Sequence, residues 1–513
     1  MSDILQAAVG QVLFDPVVMV TIVLSCVYGI FVGGIPGLTA TMAVALMVPL
    51  TLFMGDVQAI AAIVTTTTCS IFAGDIPATL VRIPGTPASA AYANDSYKLA
   101  QSGQYSRILS ISLLFSVIGG LFGVAVLSVA APQLAQFATE FRHYEYFWLF
   151  ALGLTCAAVV SDGARWKGVI ALLLGLLLGT VGLGKDYSTP RLTFGSEHLI
   201  TGISFIPAMI GLFGLSEVLR TVWKLDQSAG AEKVDLNREL PTSVIDVVPL
   251  AIRRSVSLLR SSTIGSVIGM LPGAGADIAA WISYAVSKRL SRNPELYGNG
   301  SEEGVADATG ANNAALGSAW IPVLVFGIPG DSVTAIAIGV LLMKNITPGP
   351  QIFSGDATNP DTVLAYSIYV TFVVANLLLI PIGWAAIRLS SMLVNVPRQI
   401  LMPPVVIFCV LGAYAMKSSY FDVWVMLAMG ILGFALERAR IPLGPTVLGI
   451  ILGPDLEHRF IQCITDSTDI SYFFDGPICK LLAFAVIGLW GYPLIANVPV
   501  RERKKRTARP PSR

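Results

Sequence analysis

Five carboxylates stand in or beside apolar sequence: Asp75, Asp95, Asp277, Asp307 and Asp331. A charge at membrane depth is costly, so such residues are candidates for moving a cation or a proton. Asn312-Asn313 adds two adjacent carboxamides within Gly310-Ala311-Asn312-Asn313-Ala314-Ala315, and each can donate through its NH2 or accept through its C=O. They could hold a carboxylate, hold a sodium ion, or cap a helix at the start of a span. Neutral donors accompany them in the hydroxyls of Thr39, Thr86, Ser89, Ser332 and Thr334. An ionised aspartate repels an anionic ligand unless a cation lies between them. Asp331 with Asn312 and Asn313 is therefore a candidate sodium site, and Asp331, Asp75 and Asp277 are the candidates for coupling to sodium or to protons.

These residues sit at or near four interruptions of apolar sequence. The first half has Gly34-Ile35-Pro36-Gly37-Leu38-Thr39 and Ile83-Pro84-Gly85-Thr86-Pro87; the second has Met270-Leu271-Pro272-Gly273-Ala274-Gly275 and Ile328-Pro329-Gly330-Asp331-Ser332. Proline removes a backbone donor and glycine weakens a helix, so each pair should break one. Broken backbone at membrane depth is tolerated where protein or a water-filled cavity satisfies it. Paired breaks in two halves mark the central site of a secondary transporter. On this reading Gly37, Leu38, Thr39, Thr86, Ser89, Gly273, Gly275, Asn312, Asn313, Gly330, Ser332 and Thr334 contact the substrate. Thr86 to Ala90 and Asp331 to Thr334 are expected to form half-helix N-termini, whose free N–H groups suit an anion. Small polar residues also cement helix packing in membranes, which is the competing role for each of them singly. Arg82 fits either a carboxylate clamp or a membrane interface.

The chain that must position them has 513 residues, 54% hydrophobic and 13% charged, with mean hydropathy +0.72. Soluble domains carry about 25% charged residues, so this is an all-α polytopic membrane protein with roughly ten to twelve hydrophobic segments, some re-entrant. Apolar runs at 17–33, 56–73, 108–131, 167–184, 362–387 and 481–500 are the clearest. The expected organisation is a first repeat at 1–221, a linker and lead-in helix at 222–260, and an inverted second repeat at 261–460. An extra span at 461–500 and a basic tail at 501–513 follow. No Lys or Arg precedes Arg82, and the tail carries seven basic residues from Arg501 to Arg513. The positive-inside rule then sets the N-terminus outside and the C-terminus in the cytoplasm. Six scattered cysteines form no CxxC pair, so neither a disulfide framework nor a zinc site is expected. There is no HExxH, GxSxG or Walker A loop. No enzyme activity, organic cofactor or nucleic-acid partner is expected, and uphill transport would need an ion gradient or a partner ATPase. A carboxylate-permeable channel is the nearer alternative, and an intramembrane hydrolase pairing Asp75 with Asp331 the more distant one.

Taken in order, these motifs resemble the large membrane subunit of the tripartite tricarboxylate transporter family. The resemblance is carried by Gly33-Gly34-Ile35-Pro36-Gly37-Leu38, by Ile83-Pro84-Gly85-Thr86-Pro87-Ala88-Ser89-Ala90 with Asn94-Asp95-Ser96-Tyr97, and by Leu271-Pro272-Gly273-Ala274-Gly275-Ala276. Ala311-Asn312-Asn313-Ala314-Ala315, Gly327-Ile328-Pro329-Gly330 and Pro348-Gly349-Pro350 complete it. It covers about residues 25–355, and more loosely the stretch to 460. The chain departs from the pattern at Ala73-Gly74-Asp75, Asp95-Ser96-Tyr97-Lys98-Leu99 and Thr309. The resemblance implies a sodium- or proton-coupled importer of a small carboxylate in a bacterial inner membrane. It also implies two partners, a small four-helix membrane subunit and a periplasmic solute-binding protein.

Overall fold

A computed structural model describes residues 2–160, 165–186, 189–223, 242–273, 275–355, 359–394, 396 and 398–496. The described residues are built from helices and their connections. Among the described residues, six helical stretches are long and apolar enough to cross a membrane: Pro16–Gly33, Asp56–Val81, Ala93–Ala138, Phe205–Trp223, Pro360–Arg388 and Tyr420–Arg438. Shorter apolar helices, among them Ala40–Thr51 and Ser332–Met343, fill the space between. The chain is a multi-pass membrane protein. The expected linker falls largely on 224–241 and the basic tail on 501–513, both outside the described residues.

Local sequence accounts for where the helices start and stop. Asp15 caps Pro16–Gly33, its carboxylate accepting from Val17 N at 2.8 Å, with proline at the first turn where no N–H is needed. Ser301 caps Glu302–Ser318 by accepting from Gly304 N at 3.0 Å. The long segment starting at Asp56 breaks at Gly74 and resumes as the seven-residue helix Asp75–Val81. Its counterpart Glu302–Ser318 breaks at Ala319 and resumes as the seven-residue helix Trp320–Phe326.

The two halves repeat one another in detail. Arg82 (φ 56, ψ 29) ends the first short helix and Gly327 (φ 69, ψ 20) the second, both in the left-handed region. Ile83 N then bonds Pro77 O at 3.2 Å, as Ile328 N bonds Pro322 O at 3.1 Å. Gly37 and Gly273 both have positive φ, 89° and 76°, at the matching Pro-Gly turns. The same packing recurs one helix earlier: a Cβ on Gly33 would sit 2.5 Å from Ser70 O, and one on Gly269 2.4 Å from Ala315 O. Backbones approach this closely only where both residues are small, which is how helices associate in lipid.

Equivalent helices run in opposite directions. Lys344 bonds Met54 O beside the start of the first broken helix, and Gly349 N bonds Leu324 O near the end of the second at 2.9 Å. At the other face, Asp95, beyond the end of the first, accepts from Gly298, Gly300 and Ser301 N–H at 2.7, 2.8 and 3.0 Å, at the start of the second. The halves are also interlocked. Tyr105–Ala138 packs on Glu302–Ser318, and its counterpart Pro360–Arg388 packs on Asp56–Ala73. Pro477–Ala496 has no counterpart and packs on His143–Val160.

Candidate functional site

All four breaks meet at one small cavity between the halves. The first half lines it with Thr39, Ala40, Thr41, Ile71, Gly85, Thr86 and Pro87; the second with Ala276, Asp277, Asn312, Asp331, Ser332 and Val333. Most of these are counterparts: Thr39 of Gly275, Ala40 of Ala276, Thr41 of Asp277, Gly85 of Gly330 and Thr86 of Asp331. Three of these pairs, Ala40 with Ala276, Thr41 with Asp277 and Thr86 with Asp331, line it with both members, which places the cavity on the internal pseudo-two-fold axis. Its volume is about 30 Å³, room for a water or a bare cation and too little for a tricarboxylate.

The backbone around it is arranged for charge. Three helices start at the cavity: Ala40–Thr51 capped by Thr39, Gly275–Leu290, and Ser332–Met343 capped by Asp331. Each N-terminus carries about half a positive charge. The expected half-helix N-terminus exists after the second-half break, where Ser332–Met343 runs 12 residues. After the first-half break it does not: Ser89–Ala91 is a single three-residue turn. Sequence reasoning missed the other two helix starts because it assigned Pro36-Gly37 and Pro272-Gly273 to close backbone approach alone.

Both re-entrant turns are closed by the same reciprocal pair of bonds. In the first half Thr86 N bonds Ser89 Oγ at 3.2 Å and Ser89 N bonds Thr86 Oγ1 at 3.1 Å. In the second, Asp331 N bonds Thr334 Oγ1 and Thr334 N bonds Asp331 Oδ1, both at 2.8 Å. Ser89 and Thr334 therefore serve as partners that shape Thr86 and Asp331, and neither lines the cavity. The halves join across it through Asp277, whose Oδ1 accepts from Ala88 N at 3.1 Å, and through Trp281, whose indole donates to Pro87 O at 3.3 Å.

Asn312 brings a carboxamide to the cavity wall. It is 2% exposed and faces the cavity, and among the described residues its carboxamide has no hydrogen-bond partner. A buried carboxamide left unpaired costs about 1–3 kcal/mol, which is recovered when a ligand, ion or water fills the space beside it. Ser332 and Thr41 line the same space. Asn313, its neighbour, turns to the opposite side of the helix, donating to Ser116 Oγ at 2.9 Å and Thr309 O at 3.2 Å.

Other expected residues fall elsewhere. Leu38 is buried in the hydrophobic core, and a Cβ on Gly273 would meet Ala157 Cα at 2.6 Å, so this turn packs against His143–Val160. Gly37 forms the matching turn, and Gly275 and Gly330 lie against Asp331 and Ala319. Asp75 does not line the cavity: its oxygens are held by Tyr92 OH at 2.6 Å and by Ser112 Oγ. Asp331 has a different set of partners, in Thr334, and the two aspartates share no hydrogen-bonding group among the described residues. Arg82 is exposed and donates to Asn94 Oδ1 at 2.8 Å. Residues 65–68 are four consecutive threonines; Thr67 and Thr68 bond back to Ile63 O and Val64 O, while Thr65 and Thr66 are buried with no hydroxyl partner among the described residues. Thr41 was missed by sequence reasoning; aligning Pro36-Gly37 with Pro272-Gly273 would have found it as the counterpart of Asp277.

The sequence has relatives among known proteins. Residues 19–448 match the tripartite tricarboxylate transporter TctA family. An uncharacterised 52.8 kDa protein of the TAR-I ttuC′ 3′ region of Agrobacterium vitis is 33% identical over 469 residues, 91% of each chain. A second uncharacterised protein, from the TAR-II ttuC′ 3′ region of the same organism, is 36% identical over 219 residues, 42% of this chain and 88% of its own. No solved structure matches the chain.

Proposed function

The chain belongs to the tripartite tricarboxylate transporter TctA family, and on that premise we propose that it imports a small carboxylate by cation-coupled alternating access. Membership makes it one membrane component of a system with further components. On the proposed reading these are a small four-helix membrane subunit and a periplasmic solute-binding protein. The membrane is the bacterial inner membrane, with the N-terminus periplasmic and the C-terminus cytoplasmic.

The observation that carries this reading is the distribution of charge across the pseudo-two-fold axis. At matched positions the first half has the hydroxyls of Thr41 and Thr86, and the second has the carboxylates of Asp277 and Asp331. The second half is thus the cation side, with Asp277, Asp331, Asn312 and the Ser332 hydroxyl as oxygen donors for sodium or as the acids for a proton. Asn313 and Asp75 play no part in that set. The first half, with the Thr39-capped helix start and the Thr86 turn, is the side for the substrate carboxylate. A bound cation neutralises the acids and lets the anion approach, which couples the two fluxes. At about 30 Å³ the cavity is closed to substrate, so passage requires the halves to separate on one side at a time.

The test is uptake of labelled mono-, di- and tricarboxylates by the full chain, co-reconstituted with its neighbouring membrane subunit and binding protein, under imposed gradients. Accumulation that collapses with a sodium or a proton ionophore supports the reading and names the cation. Flux that only equilibrates would establish a channel instead.

A further inference from the structure

A second, larger cavity lies at one face of the molecule, next to the second break. Its volume is about 350 Å³, within the range of small-molecule pockets, about 300–1,000 Å³. Its walls include Val325, Phe326 and Gly327, which end the helix before the break, and Ile338 and Leu342, on the helix after it. Gly327 is four residues from Asp331 in sequence, so an occupant here touches both arms of the re-entrant hairpin whose tip lines the axial cavity.

The charges around this cavity are unevenly partnered. Lys185 is paired with Asp455 at 2.5 Å, Arg191 with Glu457 at 2.5 Å, and His458 with Asp186 at 2.9 Å. Arg459, which follows directly, has no carboxylate partner among the described residues. Its guanidinium is held in place all the same. It stacks over Tyr146, 4.8 Å from the ring centroid, while Nη1 is shared between His143 Nδ1 at 3.0 Å and Gln462 Oε1 at 3.1 Å. A positioned guanidinium with donors to spare, lining a polar cavity of this size, suits a planar carboxylate, which it can grip through two parallel hydrogen bonds. The Gln351 carboxamide and Lys185, the latter paired with Asp455, also line the cavity and carry further N–H donors for a second carboxyl or a hydroxyl of the ligand.

We propose that this cavity is a vestibule that binds a small di- or tricarboxylate through Arg459 before the axial cavity opens. The proposal rests on the carboxylate-transport reading and adds a distinct binding site to it. Substrate docks on Arg459 and Lys185 against the outer end of the hairpin, and movement of the hairpin then admits it towards Asn312. On the proposed orientation this is the periplasmic face, where a binding protein would release its cargo.

The test is calorimetric titration of the full chain in lipid nanodiscs with citrate, succinate, acetate and inorganic phosphate, run on wild type, Arg459→Gln, Arg459→Lys and Arg82→Gln. Parallel measurements of thermal transition and uptake accompany it. Citrate or succinate should bind wild type more tightly than acetate or phosphate. Arg459→Gln should weaken that binding by about tenfold or more, the worth of one charge-assisted pair. Arg459→Lys should recover part of the loss, and Arg82→Gln, at a residue outside both cavities, should leave binding intact. In uptake, Arg459→Gln should raise KM and spare the rate at saturation. Unchanged citrate and succinate binding in a folded Arg459→Gln protein overturns the vestibule, as does equal binding of phosphate. If wild type accumulates carboxylate in that case, the transport reading stands without the vestibule; if it accumulates none, that reading falls separately.

Discussion

Substitution of Gly85 by alanine tests how tightly the first re-entrant turn is seated. Gly85 has no positive φ, so alanine is permitted by the backbone and the effect is steric. The added Cβ would lie 2.5 Å from Gly74 Cα, 3.1 Å from Gly74 O and 3.2 Å from Gly33 O. All three are backbone atoms of the break itself, and none can rotate away. Overpacking of this kind costs about 1–3 kcal/mol. At 1.4 kcal/mol per tenfold, the closed state is depopulated about 5- to 150-fold relative to states in which the turn has lifted. The counterpart substitution, Gly330→Ala, meets Ala319 Cβ at 3.0 Å and Ala319 O at 3.3 Å, a milder conflict with a methyl group, worth about 1 kcal/mol. Initial uptake rates should therefore fall much further for Gly85→Ala than for Gly330→Ala, with both proteins folded by thermal melt. Ala319→Gly should rescue Gly330→Ala by removing the conflicting methyl. No such suppressor exists for Gly85, because its neighbour is already Gly74. Wild-type uptake by Gly85→Ala, or no rescue by Ala319→Gly, would refute this account of the break.

Asn312→Leu should abolish uptake while leaving the thermal transition unchanged or raised, because it removes an unpartnered buried carboxamide worth about 1–3 kcal/mol; a lowered transition would show that Asn312 has a structural partner. Asp277→Asn and Asp331→Asn should each remove the dependence of uptake on the cation gradient, whereas Asp75→Asn, held by Tyr92 and Ser112, should retain it; uptake against imposed gradients separates them. Asp95→Ala deletes the acceptor of three backbone N–H groups and of the Tyr284 hydroxyl at 2.5 Å, and should cost about 3 kcal/mol or more, read as a lowered melting temperature and faster protease nicking within residues 291–301.

The site was legible in the sequence to the extent that it is built from backbone breaks. Pro36-Gly37, Pro84-Gly85, Pro272-Gly273 and Pro329-Gly330 announce themselves because proline and glycine act locally, and all four breaks converge on the axis. Side-chain direction was not legible. Asn312 and Asn313 are adjacent on one helix, and about 100° of rotation per residue sends the first to the cavity and the second to Ser116. Leu38 and Gly273 follow or form turns whose outer sides pack on other helices. Asp75 is seven residues before Arg82, as Trp320 is before Gly327; that match shows it belongs to the helix shaft rather than to the turn at the axis. The cross-half bond from Ala88 to Asp277 joins residues 189 apart in sequence, which no single-segment reading could pair. In the fold, the opposite directions of the repeats were foreshadowed by basic residues, whereas the exchange of long helices between halves follows from packing of small residues and left no local mark.

The central claim is that the axial cavity opens to one side of the membrane at a time. Ser332→Cys in a chain whose native cysteines are replaced places a thiol on the cavity wall. Its labelling by a membrane-impermeant thiol reagent, applied in turn to each face of oriented vesicles, tests the claim directly. The account predicts labelling from either face in separate experiments, with cation and carboxylate together shifting the balance and suppressing both rates as the cavity closes. Simultaneous access from both faces, unaffected by cation and carboxylate, would contradict alternating access and establish a pore.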